Sequence, residues 1–566
     1  MSISGCENKA FKELDCCALH CSEKDINKDE FHEYLMEFYK LFSDYLDREI
    51  QVEISRNRCE SHSEFEARDE LEKIEKDIED YHLLIGGIAP YGISNRLTKR
   101  LEKIDIILKG YRFPNDDNME HLGSEYHQVL RCLGRVGFLD CNFNTPSFNL
   151  NSNFYYKDCI FYNDLIITPF PEVEDKDYRY INCKFEKDVF IKPSKKSREI
   201  SCNLFKDCNF EEDITLSNIN FKETVLHLSQ PLENVSMHNV REHFSKVKSN
   251  FKFKNIKIEE CIFESGFKLN GFDKKYLEML KFYKRDLNKD WLEISSLKII
   301  DTEFNSKFEV KNRIIKNLDF INSNVLKIFD VYGSKIEKTN FEKNIFYDFA
   351  GFENVVFGSK DKTARLYRAK FEYTTFESFS SFRNTKFYSG LDFKNTNRDK
   401  EPNFLNSYIN SQNTDRETFR IVKYSFDSVG NKIEAGKYHA YEMSAYINEL
   451  SFKKNFWQLT ILYANNLISK FGQSYIRPFL LLIGFVVLYS YLLDSYQEVL
   501  QFRIHEMQYG LESFTENLNT GARNFLPFAR FISDKRGFEF VSLFFYIVFA
   551  VCIWQIIVAV KKQTQH

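Results

Sequence analysis

Aromatic side chains recur at every fifth position through the middle of this chain. Between about residues 133 and 409 the spacing of five joins Phe138, Phe143 and Phe148; Phe205 and Phe210; Phe341 and Phe346; Phe352 and Phe357; Leu366, Phe371 and Phe376; Phe382 and Phe387. A helix repeats about every 3.6 residues and a strand about every two, so neither explains this period. The pattern indicates a short repeated unit.

A small residue stands two positions before many of these rings. It is cysteine or threonine, and an Asp, Asn, Glu or Lys precedes it each time, in the pairs Cys141 and Phe143, Cys159 and Phe161, Cys183 and Phe185, Cys208 and Phe210, Cys261 and Phe263, Thr302 and Phe304, Thr339 and Phe341. The pattern resembles the pentapeptide-repeat family, and the resemblance covers roughly half of the chain. It implies a mainly β fold, a right-handed quadrilateral β-helix with about four units per coil.

Such a fold would turn each central ring into the cylinder. Rings of successive coils then stack at about the 4.8 Å spacing of neighbouring strands. We therefore expect a core ladder of Phe138, Phe143, Phe148, Phe161, Phe185, Phe210, Phe263, Phe304, Phe341, Phe371 and Phe376. Cysteines beside the ladder would act as small hydrophobic residues rather than as metal ligands.

The repeat register breaks in three places, which we interpret as loops or helices that protrude from the solenoid. The breaks lie at about 187–200, 225–258 and 268–298. In the third, the segment from Asp273 spaces apolar residues as an amphipathic helix does.

Helical patterns flank the repeats and divide the chain into four parts. Residues 1–132 form a helical module that would cap the solenoid, and 133–410 form the β-helix with its insertions. Residues 411–472 form a helical hairpin that turns at Gly430 and Asn431. Residues 473–566 hold two long apolar runs.

The two apolar runs are candidate transmembrane helices. The first reads PFLLLIGFVVLYSYLL from Pro478 to Leu493, and the second reads FEFVSLFFYIVFAVCIWQIIVAV from Phe538 to Val560 and stops at two lysines. About 20 apolar residues suffice to cross a bilayer. The alternative for each is a buried helix of a globular domain. The hairpin, the FGQSYIRP before the first run and the NFLPF of the loop resemble segments of bacterial pentapeptide-repeat proteins with C-terminal membrane spans.

Charge and cysteine content indicate where the body lies. The chain carries 78 basic and 82 acidic residues, so it offers no strong field for nucleic acid, and no nucleic-acid partner is expected. Thirteen cysteines without an N-terminal signal sequence favour a reducing compartment. Basic residues on both sides of the spans give only a slight preference for orientation. We expect a two-span protein of the bacterial inner membrane with both termini in the cytoplasm.

Motifs for chemistry are sparse. Cys16, Cys17, His20 and Cys21 form a weak zinc candidate, because adjacent cysteines fit tetrahedral coordination poorly, and the alternative is an ordinary reduced segment. The sequence holds no phosphate-binding glycine loop, HExxH or G-x-S-x-G motif. We expect no enzyme activity, no cofactor and no metal.

Polar residues in the membrane region mark candidate pore positions. Ser490 and Asp494 lie near the end of the first span and Gln555 lies within the second. The loop between the spans carries Arg523, Pro527 and Arg530. It either contacts the outer leaflet or forms a short surface helix, and it lacks a TVGYG-like filter.

These observations predict a non-enzymatic, membrane-anchored scaffold. Its cytoplasmic solenoid would bind an unidentified protein partner, while the two apolar runs would anchor it in membrane lipid. Assembly into a homo-oligomer is a further possibility. The alternative is a gated, ion-channel-like or membrane-depolarising effector, for instance in bacterial antiviral defence, which rests on analogy with other systems.

Overall fold

The computed structural model describes residues 8–12, 14–56, 73, 76, 95–115, 129–130, 132–144, 154–169, 177–195, 197–228, 253–272, 292–361, 365–502, 518–519 and 538–564. These form two compact units. The first comprises residues 1–389 and 395–400, and the second comprises 390–394 and 401–566.

The first unit is a stack of short parallel strands. Sheet 1 contains Asp105–Lys109, Arg135–Leu139, Phe154–Lys157, Tyr180–Ile181, Phe205–Lys206 and Leu226–His227. Sheet 2 contains Arg112–Phe113, Asn142–Phe143, Ile160–Phe161, Lys184–Phe185 and Asn209–Phe210. Within each sheet, neighbouring strands come from successive coils of the chain.

Three further sheets continue the stack. Sheet 3 contains Leu165–Ile167, Val189–Ile191, Asp213–Ser217, Asn255–Glu259, Glu293–Ile300, Ile314–Ile321, Lys335–Glu342, Val356–Phe357, Ala369–Glu372 and Lys386–Phe387. Sheet 4 contains Glu199–Ile200, Asn220–Phe221, Ile262–Phe263, Glu303–Phe304, Asn324–Val325, Ile345–Phe346, Thr375–Phe376 and Asn397–Arg398. Sheet 5 contains Phe267–Lys268, Phe308–Glu309, Phe329–Asp330, Ala350–Gly351 and Ser380–Ser381.

One coil shows how the period of five arises. Asn322 donates a hydrogen bond to Asp301, 21 residues earlier and one coil away. Within the coil that begins at Lys335, the large buried apolar side chains include Ile336, Phe341, Phe346 and Phe352. A short strand followed by a turn thus brings an inward-facing residue to each side of the coil about every five positions.

The N-terminal helix α1, Phe31–Arg56, packs on the first coil. Phe38 and Phe42 meet the ring of Phe113, on the edge strand of sheet 2, at centroid distances of 5.8 and 5.6 Å. A second helix, α2, spans Asn95–Leu101. Through these contacts α1 covers an aromatic ring on the edge strand of sheet 2.

The second unit begins with two short strands, Leu391–Asp392 and Tyr408–Ile409, and continues as helices. Helices α3, Arg416–Ser428, and α4, Lys432–Glu449, form the predicted hairpin. Gly430 between them takes a positive φ of 78°, as a left-handed turn requires. The remaining helices are α5, Phe456–Ser469; α6, Ile476–Phe502; and α7, Glu539–Thr564.

The coarse prediction of a parallel solenoid, flanking helices and two apolar helices is confirmed. Two details differ from the sequence interpretation. Strands begin at Asp105 rather than near residue 133, and the supposed break at 187–200 holds strands Val189–Ile191 and Glu199–Ile200. The amphipathic helix predicted from Asp273 and the ladder position Phe148 lie outside the described residues.

Candidate membrane-binding helices

Helices α6 and α7 are the two described helices long and apolar enough to cross a membrane. They pack side by side, and the hydroxyl of Tyr489 donates a hydrogen bond to Ser542 Oγ at 2.9 Å. The ring of Tyr489 also contacts Phe545, with centroids 5.2 Å apart. Only 11% and 17% of the apolar windows of α6 and α7 are buried. A core helix of a soluble domain would instead be largely covered.

A tight turn joins α5 to α6. Lys470, Phe471 and Gly472 all take positive φ values, of 50°, 58° and 79°. Glycine takes up the positive φ at position 472 without strain, and a Cβ there would lie 3.2 Å from the Nζ of Lys562, which is a tight contact.

The polar groups of this region bond to one another within the chain. Ser469 Oγ donates to Gln555 Oε1 at 2.8 Å and accepts from the backbone N–H of Gly472 at 2.9 Å. Ser469 is fully buried and Gln555 half-buried. The predicted pore candidate Gln555 therefore has a partner on α5, which the sequence alone did not reveal.

The end of α7 is tied to the same turn. Lys562 Nζ donates to the carbonyl of Phe471 at 3.1 Å, and Gln563 Nε2 donates to the carbonyl of Gln473 at 3.1 Å. Basic side chains at a helix C-terminus also interact favourably with the helix dipole. These bonds hold the start of α6 beside the end of α7.

Two of the remaining pore candidates lie on helix α6. Ser490 and Asp494 are exposed on α6, four residues apart and therefore on one face. The loop residues Arg523, Pro527 and Arg530 lie outside the described residues.

The α3–α4 hairpin contains a nearly buried carboxylate. Glu442, with a side chain 4% exposed, pairs with Lys423 Nζ at 2.7 Å and with Arg420 Nε at 3.2 Å. Burial alone would raise the pKa of Glu442, but the hydrogen bonds from Lys423 and Arg420 outweigh it and the pKa is lowered. Burial, with the nearby charges of Lys562 and Lys423, lowers the pKa of His439. Glu442 therefore stays ionised and holds the two helices together.

Ladder residues in the solenoid stack closely. Phe143 lies parallel to Phe113 and Phe161, each at a centroid distance of 4.8 Å, and Phe185 continues the row at 5.0 Å from Phe161. The other described ladder positions are also buried: Phe138, Phe210, Phe263, Phe304, Phe341, Phe371 and Phe376. Sequence analysis missed two tyrosines in the core, Tyr156 and Tyr180, which stack 5.0 Å apart.

The positions two residues before the rings, here called the small positions, hold buried thiols that donate hydrogen bonds to backbone carbonyls. Cys141 Sγ donates to the carbonyls of Leu108 and Leu139, both at 3.4 Å. Burial raises the pKa of Cys141 far above its ordinary value and that of Cys261 to about 11. Such thiols stay protonated and are poor nucleophiles and poor metal ligands.

The N-terminal cysteine cluster is drawn together around a disulfide. Cys16 and Cys21 are bonded, with their Cα atoms 5.4 Å apart, so the expected reduced segment is not found at these positions. Cys17 Sγ lies 3.0 Å from His20 Nδ1. Since disulfide sulfurs are not thiolate ligands, this arrangement leaves only Cys17 and His20 of the four zinc candidates.

One acidic cluster was not singled out from the sequence. Carboxylate oxygens of Asp188, Glu212 and Asp213 lie within 4.8 Å of one another. Asp188 accepts a hydrogen bond from the backbone of Asp213 at 3.0 Å, and Asp164 accepts one from the backbone of Asp188 at 3.3 Å. The available signal was an aspartate at the start of three successive sheet 3 strands, namely Asp164, Asp188 and Asp213. The backbone bonds give these residues a structural role in the turns.

Comparisons with known proteins found no matching family model, no matching curated protein and no matching solved structure, so the function rests on the residues and geometry above.

Proposed function

We propose that this is a non-enzymatic membrane anchor protein of pentapeptide-repeat type. Its solenoid would be a right-handed quadrilateral β-helix that binds a protein partner in the cytoplasm. Helices α6 and α7 would cross the bacterial inner membrane, with both termini on the cytoplasmic side. The observation that carries this proposal is the outward exposure of the apolar faces of α6 and α7, with Leu480 61%, Val487 63% and Trp554 63% exposed.

Membrane insertion follows from the energy of those faces. Each large apolar side chain that leaves water contributes about 1.5–3 kcal/mol. Hydrogen bonds such as Tyr489 to Ser542 and Ser469 to Gln555 satisfy polar groups that hydrocarbon would otherwise penalise. Helices α6 and α7 thus present apolar side chains on the outside, while these polar groups are paired on the inside.

The solenoid surface supports the proposal of protein binding. Nine described cysteines take part in no disulfide bond, which supports a reducing location for most of the body. Leu326 and Tyr347 are 36% and 47% exposed and follow Val325 and Phe346, which pair in register on neighbouring coils. Adjacent exposed apolar and aromatic residues are typical of protein-binding surfaces.

Fractionation tests the anchor. The intact chain should remain in the membrane pellet through a sodium carbonate wash and enter solution only with detergent. A chain with Val487→Arg in the first span should be partly lost from the pellet, since a charge at that depth costs about 3 kcal/mol. The matched control is Val429→Arg, which alters an exposed residue of the α3–α4 turn and should leave the pellet unchanged. Intact chain in the aqueous fraction would refute the anchor.

A second candidate function is a pore formed by several copies. Its support is that Ser490 and Asp494 share one exposed face of α6. Water enclosed between neighbouring copies would hydrate these polar side chains and so stabilise them in the membrane. Overexpression in cells loaded with a potential-sensitive dye separates the two functions. A pore predicts depolarisation that Asp494→Leu weakens, whereas an anchor leaves the potential unchanged in both chains.

A further inference from the structure

Helix α5 turns large apolar side chains outward. Its sequence, FWQLTILYANNLIS, contains no charged residue. Five large outward side chains are apolar or aromatic, namely Phe456 45%, Trp457 76%, Ile461 67%, Tyr463 56% and Leu467 72% exposed, and its exposed polar residues are Gln458 and Thr460. The polar residues Asn465, Asn466 and Ser469 are instead half-buried or buried.

The exposure of these apolar side chains has a physical consequence. In water, an amphipathic helix turns its apolar side toward the protein and its polar side outward. Five large apolar side chains facing outward on one short helix form the kind of patch that marks an interaction surface. The environment of this face must therefore be apolar.

The position of α5 identifies that environment. Its last residue, Ser469, bonds to Gln555, which lies within the apolar run of α7 and before the terminal lysines. Helix α5 also contacts both α6 and α7. Its exposed face is therefore continuous with the exposed apolar faces of the two proposed spans.

Length and charge exclude a third crossing and favour a surface position. Fourteen residues make a helix of about 21 Å, which is shorter than the ~30 Å hydrocarbon core. Lys453 and Lys454 precede α5 and Lys470 follows it. Lysines that flank an uncharged apolar helix suit the phosphates of anionic lipid headgroups.

We propose that α5 lies in the membrane interface on the cytoplasmic side, with Trp457, Ile461 and Leu467 among lipid acyl chains. This inference rests on the proposed insertion of α6 and α7. It adds a lipid-binding element beside the spans, so that the α3–α4 hairpin, which contacts α5, is held next to the membrane.

Tryptophan fluorescence tests the position of α5. The chain has three tryptophans, so Trp291→Phe with Trp554→Phe leaves only Trp457 on α5, and Trp291→Phe with W457F leaves only Trp554 on α7. Each full-length variant is placed in vesicles of phosphatidylcholine and phosphatidylglycerol that carry bromine on carbons 6 and 7 of one acyl chain. Bromine quenches tryptophan only on contact, so quenching reports lipid at the ring.

A matched control has an equally exposed tryptophan away from the membrane. Val429 and Trp457 are both 76% exposed, so Val429→Trp in a chain with all three native tryptophans replaced by phenylalanine supplies it. We expect brominated lipid to reduce the emission of Trp457 and Trp554 but not of the control. Aqueous iodide should quench the control more strongly than Trp457.

The outcomes separate the inference from the proposed function. If Trp554 is quenched by brominated lipid and Trp457 is not, the spans are inserted and α5 is not in lipid. That result overturns the inference, including the case in which a second copy covers α5. If neither is quenched, both the anchor and the position of α5 are wrong.

Discussion

At the scale of single residues, the acid or amide before each small residue has a conformational reason. Asp140, Asp158, Asn182 and Asp207 precede Cys141, Cys159, Cys183 and Cys208, and each takes a positive φ between 54° and 58°. Asp and Asn tolerate this left-handed region better than most residues. The sequence shows the pattern, but its cause appears only once the backbone turn between the strands is known.

Thr339 shows where the pattern misleads. The sequence groups it with the cysteines because it stands two positions before Phe341, yet it lies within strand Lys335–Glu342. The equivalent turn in that coil is at Lys343, with a φ of 56°, and Asn344 fills the small position. Spacing alone cannot separate these two cases, because Thr339 and Asn344 are both buried and each stands two positions before a buried phenylalanine.

Asn322 provides a test of the turn conformation. Its φ is 46°, and its side chain donates to Asp301. Both Asn322→Ala and Asn322→Gly remove that bond, but only alanine is strained at positive φ. We expect alanine to lower the free energy of unfolding by about 1 kcal/mol more than glycine does. Urea denaturation of the two variants measures the difference, and equal stabilities would contradict the assigned backbone.

At the scale of elements, aromatic stacking could be predicted where phenylalanine repeats and not elsewhere. Leu108 and Phe113 are five apart and align with Phe138 and Phe143, so they belong to the same repeat. Because Leu108 takes the place of a phenylalanine in this coil, phenylalanines spaced by five begin only at Phe138, and the predicted boundary near residue 133 lies too late. The order of strands follows from the repeat, because each coil can pair only with its neighbours.

For the membrane helices, too, the sequence predicts the elements but not their contacts. The length of the apolar runs predicts that both helices exist. Helix α7 begins and ends within a few residues of the prediction, whereas α6 continues beyond the predicted end to Phe502. The partner of Gln555 and the outward face of α5 depend on contacts between distant segments. Neither periodicity nor composition carries that information.

The α3–α4 hairpin should depend on pH through Glu442. A carboxylate whose pKa is lower in the folded state stabilises the fold fully above its ordinary pKa of 4.5 and loses that contribution as the pH falls through the folded value. Glu442→Gln should therefore cost about 2 kcal/mol at pH 7, in line with hydrogen bonds to charged groups. Thermal denaturation in detergent between pH 7 and pH 3 measures the cost.

The pH dependence distinguishes this role from simple packing. The difference between wild type and Glu442→Gln should shrink below pH 4.5, because the wild-type carboxyl becomes protonated and loses its ion pairs. A matched control is Glu449→Gln, which alters an exposed glutamate of the same helix and should change stability little. A difference that stays constant down to pH 3 would assign Glu442 a packing role only.

At the scale of the whole molecule, the two compact units should unfold separately. The first unit is stabilised by stacked rings, and its strands pair only with neighbouring coils. The second is stabilised by helix packing and, on our proposal, by lipid or detergent around α5, α6 and α7. Different sources of stability imply different responses to temperature and detergent, so calorimetry of the full chain in micelles should show two transitions.

Two substitutions assign these transitions. Phe329 is fully buried and lies parallel to Phe308 at 5.0 Å, so Phe329→Ala should remove about 3–5 kcal/mol from the first unit. Glu442→Gln should shift only the other transition. Calorimetric scans of both variants and the double variant test this independence, since separate units predict additive shifts. One shared transition that both substitutions lower would mean that the solenoid and the membrane helices unfold as a single cooperative body.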